Sequence, residues 1–444
     1  MKQWRRPELL IPAGSLEVLK TAVIFGADAV YIGGEAYGLR AKAKNFSPAE
    51  MAEGIAFAHA HQKKVYVTAN ILAHNCDLEG ARTYFEELRD MKPEPCDALI
   101  IADPGLFALA REVWPQVDIH ISTQANNTNY RTCLFWWQQG AKRVVTAREL
   151  SLEEIHGIRE RIPEEMKIES FIHGSMCISY SGRCLLSNYF TGRDANQGSC
   201  THPCRWKYAV VEETRPGEYL PVYENERGTY IFNSRDLCMI EHIPEMVEAG
   251  INSFKIEGRM KTALYVATAA RTYRKALDDY FISEETYRGN MDWYREEIAK
   301  CTYRQYSTGF YFGRPGVHNQ IYDNSTYVSE YIYLGLVEEI LLRRGGVEGG
   351  TDGNALKIVD GREKSTEQDA MAGKPLARIR QKNKFSVGDF IEIMKPDGRN
   401  VPVKAEAMYN EDGEAVESCP HAGQTIWVRL SETPEPYDIL RRKA

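Results

Sequence analysis

The sequence lacks any long uninterrupted apolar run. Its most apolar segment, ALIIADPGLFALA, is broken by Asp103, Pro104 and Gly105, whereas a helix that spans a bilayer needs roughly 18 to 20 consecutive apolar residues. A secretory leader is not expected either, because Pro7, Glu8 and Pro12 interrupt MKQWRRPELLIPAG where a continuous apolar stretch would be required. These readings predict a soluble, cytoplasmic protein. Excess positive charge is also missing. The net charge of −7 argues against a surface that is basic throughout, as indiscriminate nucleic-acid binding demands, and leaves room only for local basic faces. Two hydrolytic signatures are absent: no HExxH helix and no GxSxG elbow occurs, which removes the zinc-metalloprotease and serine-hydrolase routes. Cysteine is sparse outside one segment. Cys76, Cys96, Cys133, Cys238, Cys301 and Cys419 are scattered and read as small buried hydrophobes or inert thiols.

What is present is a repeated grammar. A short β-rich run ends in Gly, Asn, Asp or Gln and is followed by an amphipathic helical stretch. The runs are ELLIPAG (Glu8 to Gly14), DAVYIGG (Asp28 to Gly34), KVYVTAN (Lys64 to Asn70), ALIIAD (Ala98 to Asp103), DIHISTQ (Asp118 to Gln124), RVVTARE (Arg143 to Glu149), IESFIHG (Ile168 to Gly174) and SFKIEGR (Ser253 to Arg259). The intervening SLEVLKTAVIFGA and SLEEIHGIRERI open on serine, as capped helices do. Eight such units predict an α/β fold, a TIM-type (β/α)8 barrel, with an open doubly wound sheet as the competitor.

The chain divides on this reading into a barrel over 1–310, with an insertion at about 175–235, a linker over 311–326, and a C-terminal domain over 327–444. Within the insertion, WKYAVVEE, YLPVYE and GTYIFNS alternate around the turn RPGE and predict added antiparallel strands. Beyond the helical stretch TALYVATAARTYRKALDDY and a helix around EEIAKCTY, the runs YIYLGLVEEI, ALKIV, KPLARIR, DFIEIM and TIWVRL suggest a small β-barrel.

Four cysteines, Cys177, Cys184, Cys200 and Cys204, crowd the start of the insertion. Cys177 lies just past the seventh strand, at the carboxyl end where barrel chemistry resides. In a reducing compartment such a cluster points to metal or redox chemistry rather than disulfides. Four thiolates close one tetrahedral zinc or supply one iron–sulfur cubane, and the spacings CxxxxxxC and CxxxC do not decide between them. A thiol nucleophile paired with His173 or His202 is a third reading.

ESFIHGSMCISYSGRCLLS (Glu169 to Ser187) resembles the signature of the U32 family, the collagenase-like peptidases, and the likeness extends through RDANQGSCTHPCRW, NSRDLCMIEHIPEMVEAGINSFKIEGRMK and KNKFSVGDFIEI. Within that family the chain is most similar to the subgroup that hydroxylates tRNA. The resemblance implies a [4Fe-4S] cluster on Cys177, Cys184, Cys200 and Cys204, conversion of the tRNA wobble uridine to 5-hydroxyuridine, and prephenate as co-substrate. Relatives of the same core act on a ribosomal RNA cytidine or a ubiquinone precursor, and the family name itself denotes peptidases.

Prephenate carries two carboxylates, which call for Arg and Lys. Lys255 and Arg259 in KIEGR bracket the end of the eighth strand, with Glu257 between them, and Arg148 and Arg40 follow the sixth and second strands; each reads as a ligand or as a structural ion pair. Asn70, Asp103 and Gln124 end strands three, four and five. They read as site residues or as turn and cap residues. His173, ahead of the first cysteine, reads as a proton relay, a donor to a cluster sulfur or a satisfied core histidine, and His173, Glu257 and Asp103 are the candidate catalytic groups. For tRNA, the aromatic and basic mixture of SNYFTGR (Ser187 to Arg193) and CRWKY (Cys204 to Tyr208) suits base stacking with phosphate contact. The short basic runs KIEGRMK, CRWK and RIRQKNK are further candidate nucleic-acid contacts.

Overall fold

The computed structural model describes residues 5–38, 45–177, 179–206, 209–211, 219–221, 235–313, 328–341 and 375–444. All eight predicted strands form. β1 (Glu8–Pro12), β2 (Ala29–Gly33), β3 (Lys64–Ala69), β4 (Ala98–Ile101), β5 (Asp118–Ile121), β6 (Arg143–Val145) and β7 (Lys167–Gly174) run in series. An excursion holds the antiparallel pair β8 (Ala209–Val211) and β9 (Tyr219–Pro221), then β10 (Asp236–Cys238), before the eighth barrel strand, β11 (Ser253–Ile256). Each barrel strand lies parallel to the next, and β11 pairs with both β7 and β1, so the sheet closes. That closure settles the competition between barrel and open sheet. β10 adds antiparallel to β7 and is flanked by β12 (Tyr306–Ser307).

Helices cover the outside as the grammar requires: α1 (Leu16–Ile24), α2 (Pro48–Ala60), α3 (Leu78–Arg89), α4 (Pro104–Val113), α5 (Tyr130–Gln138) and α6 (Leu152–Arg159). The serine starts are true caps. Ser15 accepts from Val18 N, and Ser151 and Glu154 form a reciprocal capping box. After the short α7 (Leu186–Thr191) and α8 (Ile243–Glu248), α9 (Ala263–Ile282) packs on α1 and the barrel. The helix expected around EEIAKCTY ends sooner. α10 (Glu284–Gly289) leads into α11 (Met291–Ile298), which stops three residues into that segment.

Met1–Val328 and Ser329–Ala444 are separate compact units. The second is a closed antiparallel barrel of β13 (Tyr331–Leu341), β14 (Leu376–Gln381), β15 (Phe390–Met394), β16 (Asn400–Tyr409), β17 (Thr425–Leu430) and β18 (Ile439–Lys443), in the order β13-β14-β17-β16-β15-β18. Leu334, Ile379, Ile393, Val403, Val428 and Leu440 fill its core. ALKIV lies outside the described residues. β16 and β18 escaped the sequence reading because Pro402 sits inside one and the other is the short, basic ILRRK. Among the described residues no helix is long and apolar enough to cross a membrane.

Candidate functional site

The first barrel is not filled by hydrocarbon alone. Strand alternation sends Phe254 and Ile256 outward into the helices and turns Ser253, in register with Glu8 and Glu169, and Lys255, in register with Leu10 and Phe171, to the inward face. Glu169 is wholly buried, accepting Lys255 Nζ at 2.7 Å and Arg143 Nη1 at 2.9 Å. Arg143 Nη1 also reaches Glu8 at 2.6 Å, and Tyr66 and Ser253 donate to the same Glu8 carboxylate. Burial pushes the Glu8 carboxyl up, and the Arg143 charge with these hydrogen bonds more than offsets it, leaving the group below its ordinary value. His120, next to Tyr66, is held neutral by burial and by the charges of Arg143 and Lys255.

Above this charged layer, at the carboxyl ends of the strands, lies a cavity of about 180 Å³. Four of the polar residues picked out by the strand-end argument line it together with Glu257: Asn70, Gln124, Arg148 and Arg259. Asn70 Nδ2 donates to Gln124 Oε1 at 2.9 Å. Arg259 is buried, with Nη1 on Thr68 Oγ1 at 2.9 Å and Nη2 on Asn45 Oδ1 at 3.3 Å. Arg148 lies over the Phe171 ring at 4.2 Å and donates Nη1 to Ser175 O. Its buried Nε has no hydrogen-bond partner among the described residues. Lys255 also lines the cavity, its ammonium 4.4 Å from the Tyr31 ring centre, and Tyr31 Oη donates to Glu257 Oε2 at 3.3 Å. Three cations and one carboxylate thus meet around one cavity. Tyr31, Thr68 and Glu169 were assigned no role from the sequence. Their one signal was parity, a polar residue recurring on the inward face of a barrel strand.

Cys177, Cys184, Cys200 and Cys204 all line the same cavity. None of the four is in a disulfide; Cys177 is exposed and the others are half-buried. The chain brings them together by turning back over the barrel mouth: Gly182 takes a positive φ against Gln124, and Leu72 N donates to Asn196 O. The donor chemistry suits soft-metal or iron–sulfur ligation, because four cysteine sulfurs line one cavity. As they stand, no three His, Cys, Asp or Glu side chains among the described residues are gathered tightly enough to grip a metal ion.

Two predicted catalytic residues are not in the lining. Asp103 caps α4, its Oδ1 accepting from Leu106 N at 2.9 Å ahead of Pro104, which is the cap alternative. His173 is buried among the rings of Tyr265, Tyr273 and Tyr306, with Nδ1 3.5 Å from Tyr273 Oη. Burial, partly opposed by Asp236, lowers it to about 4, so it is neutral near pH 7 and sits outside the cavity. Arg40 lies outside the described residues. The basic runs resolve differently too. In KIEGRMK, Lys255 and Arg259 face the barrel mouth rather than an open surface. In RIRQKNK, Arg380 pairs with Glu338 at 2.9 Å and Arg378 lies within 4 Å of Glu338 and Glu339.

The fold and this site define a class: a TIM-type barrel whose mouth at the carboxyl ends of the strands is roofed by a cysteine-bearing excursion, followed by a small antiparallel barrel. Residues 14–321 match Peptidase family U32 and residues 364–441 match the Peptidase family U32 C-terminal domain; the chain belongs to the U32 family. It is 38% identical over 438 residues to tRNA hydroxylation protein P1 of Bacillus subtilis, covering 99% of this chain and 95% of that protein. It is 38% identical over 477 residues to tRNA hydroxylation protein P of Escherichia coli, covering 98% and 97%. A 23S rRNA 5-hydroxycytidine synthase of Escherichia coli is 36% identical over 273 residues, covering 62% of this chain and 39% of that protein.

Proposed function

We propose that this protein hydroxylates tRNA, converting the wobble uridine to 5-hydroxyuridine with prephenate as co-substrate, and that Cys177, Cys184, Cys200 and Cys204 hold a [4Fe-4S] cluster. The observation that carries the reading is the meeting of four thiols and three cations around one cavity at the carboxyl end of the barrel. Near-full-length similarity to proteins named for tRNA hydroxylation supports RNA as the substrate class. When bound, a cluster of this kind supplies an electron-transfer centre or an open iron to the reaction.

The chain's own residues take the remaining tasks. Arg148, with a guanidinium edge to spare, and Arg259 suit the carboxylates of a dianion. Lys255, fixed by Glu169, supplies a point charge from below. Glu257, hydrogen-bonded by Tyr31, is the carboxylate placed to accept or return a proton inside the cavity. Asn70 and Gln124 form a coupled amide pair suited to orienting a polar substrate edge. A cysteine–histidine peptidase is the competing reading. His173 does not serve it, since its ring is enclosed by tyrosines, and Cys200 Sγ lies 4.0 Å from His202 Nδ1, a pairing that leaves the other three thiols without a task.

The test is the modified-nucleoside profile of tRNA from a deletion strain. Loss of 5-hydroxyuridine derivatives, restored by the wild-type gene, is the expected result. An unchanged profile overturns the assignment.

A further inference from the structure

Eleven large hydrophobic residues are exposed among the described residues, and five of them, Tyr180, Leu185, Tyr189, Phe190 and Trp206, fall within the thirty residues from Cys177 to Trp206 that carry the four cysteines. An exposed apolar patch so concentrated marks a contact surface. The rings adjoin one another. Tyr189 and Phe190 are 5.2 Å apart and edge-on, and Phe190 and Trp206 are 6.2 Å apart. Tyr189 is 83% exposed, yet its backbone is fastened: Ser187 is buried, accepts Thr201 N at 3.0 Å, and shares a hydroxyl hydrogen bond with Thr201. Gln197 Nε2 ties the same excursion to Leu72 O on the barrel. The patch is continuous with the site, because Cys184, Leu186 and Cys204, its neighbours in the chain, line the cavity.

Charge selects the occupant. Between Cys177 and Trp206 the chain has Arg183, Arg193 and Arg205 against a single acid, Asp194, although the whole chain is at −7. Asp194 directs Oδ1 to Asn196 N at 2.7 Å, while Arg183 and Arg193 are exposed. Planar rings interleaved with arginines suit unpaired nucleobases and their phosphates better than an apolar peptide.

Resting on the tRNA reading above, we infer that Tyr189, Phe190 and Trp206 form a stacking platform that takes unpaired nucleobases of the anticodon loop and delivers one of them to the cysteine-lined cavity, with Arg183 and Arg193 on the flanking phosphates.

The test is fluorescence anisotropy of the full-length, anaerobically purified protein with a labelled anticodon stem–loop carrying uridine at the wobble position. Tyr189→Ala and Trp206→Ala should each weaken binding about tenfold. Tyr189→Phe, which keeps the ring, should bind as wild type does, and an RNA duplex should compete poorly. Arg183→Ala and Arg193→Ala should each lower the salt dependence of log K by about one, which the aromatic variants should not. Retained cysteine-bound iron in every variant separates platform loss from misfolding. If wild type binds the stem–loop and Tyr189→Ala and Trp206→Ala bind equally well, the platform is refuted while the tRNA reading stands. If wild type ignores the stem–loop, or binds an apolar peptide at this patch instead, both fall.

Discussion

Lys255 and Arg143 share one carboxylate, that of Glu169, and no part of it is exposed. Two cations in a barrel interior repel each other unless an anion lies between them, and the same anion fixes how far the Lys255 ammonium rises toward the cavity. Glu169→Gln should therefore cost about 3–5 kcal/mol, the penalty of leaving buried charges unpaired. Urea unfolding at pH 7 checks it. A loss under 1 kcal/mol would mean that water already reaches the pair.

Arg259 is set by a glycine. A Cβ on Gly33 would lie 2.5 Å from Arg259 Nη1, in the space the guanidinium fills while it donates to Thr68. The clash is with the tip of a flexible side chain, so the arginine can yield. Gly33→Ala should lower stability by no more than about 1–2 kcal/mol while cutting tRNA hydroxylation at least tenfold, with most of the loss in KM for the anionic co-substrate. Parallel measurement of urea midpoint and single-substrate kinetics distinguishes this from general destabilisation.

Periodicity made the barrel legible, because the strands are short β-rich runs bounded by turn residues and most of the covering helices start on a side-chain cap. The site was partly legible for the same reason: Asn70 and Gln124 stand out because they end strands, Arg148 and Arg259 because they are cations near strand ends, and strand ends converge in a barrel. Asp103 satisfies the same positional rule, but AspProGly is also a helix start, and backbone hydrogen bonding took the carboxylate. Glu169 and Tyr31 lie inside strands, where sequence position does not show whether a polar side chain meets a partner across the barrel. His173 takes the core alternative because β10, a strand too short to be read from sequence, pairs with β7 at that residue, and α9 sets Tyr265 and Tyr273 against its ring.

The cap assignment of Asp103 has its own consequence. Asp103→Ala should destabilise the protein by about 0.5–2 kcal/mol, and Asp103→Asn, which still caps, should recover most of it. Both variants should hydroxylate tRNA at the wild-type rate when assayed below their unfolding midpoints. Loss of activity in a folded Asp103→Asn would restore the carboxylate to the catalytic set.

Burial holds His173 at about 4 in the folded protein against 6.5 for an ordinary histidine. The unfolded chain therefore takes up the proton first as pH falls, so the stability this group contributes is complete above about pH 6.5 and is lost toward pH 4. Between pH 7.5 and pH 5 the loss should be about 2 kcal/mol. His173→Phe, which keeps the aromatic packing and cannot titrate, should remove that increment from the difference between urea stabilities at the two pH values. Equal pH dependence in the two proteins would show that the imidazole is already protonated, or solvated, in the folded state.

The ten cysteines divide by surroundings, and the division predicts which of them matter to a bound metal. Cys238 lies beside Tyr273 Oη, and burial raises it to about 11. Cys133 is likewise buried and pushed up to about 12. A thiol held protonated in this way is a poor metal ligand. Cys177, Cys184, Cys200 and Cys204 instead open onto one cavity at the barrel mouth, where a metal can reach them. Cys184→Ala should abolish the brown absorbance and bound iron of anaerobically purified protein together with tRNA hydroxylation, and prolonged chelation should do the same to wild type. Cys238→Ala should leave both in place and cost at most about 1–2 kcal/mol in stability. Iron retained at full stoichiometry in Cys184→Ala, or stoichiometric zinc in a colourless wild type, would remove the four-thiolate cluster from the proposal.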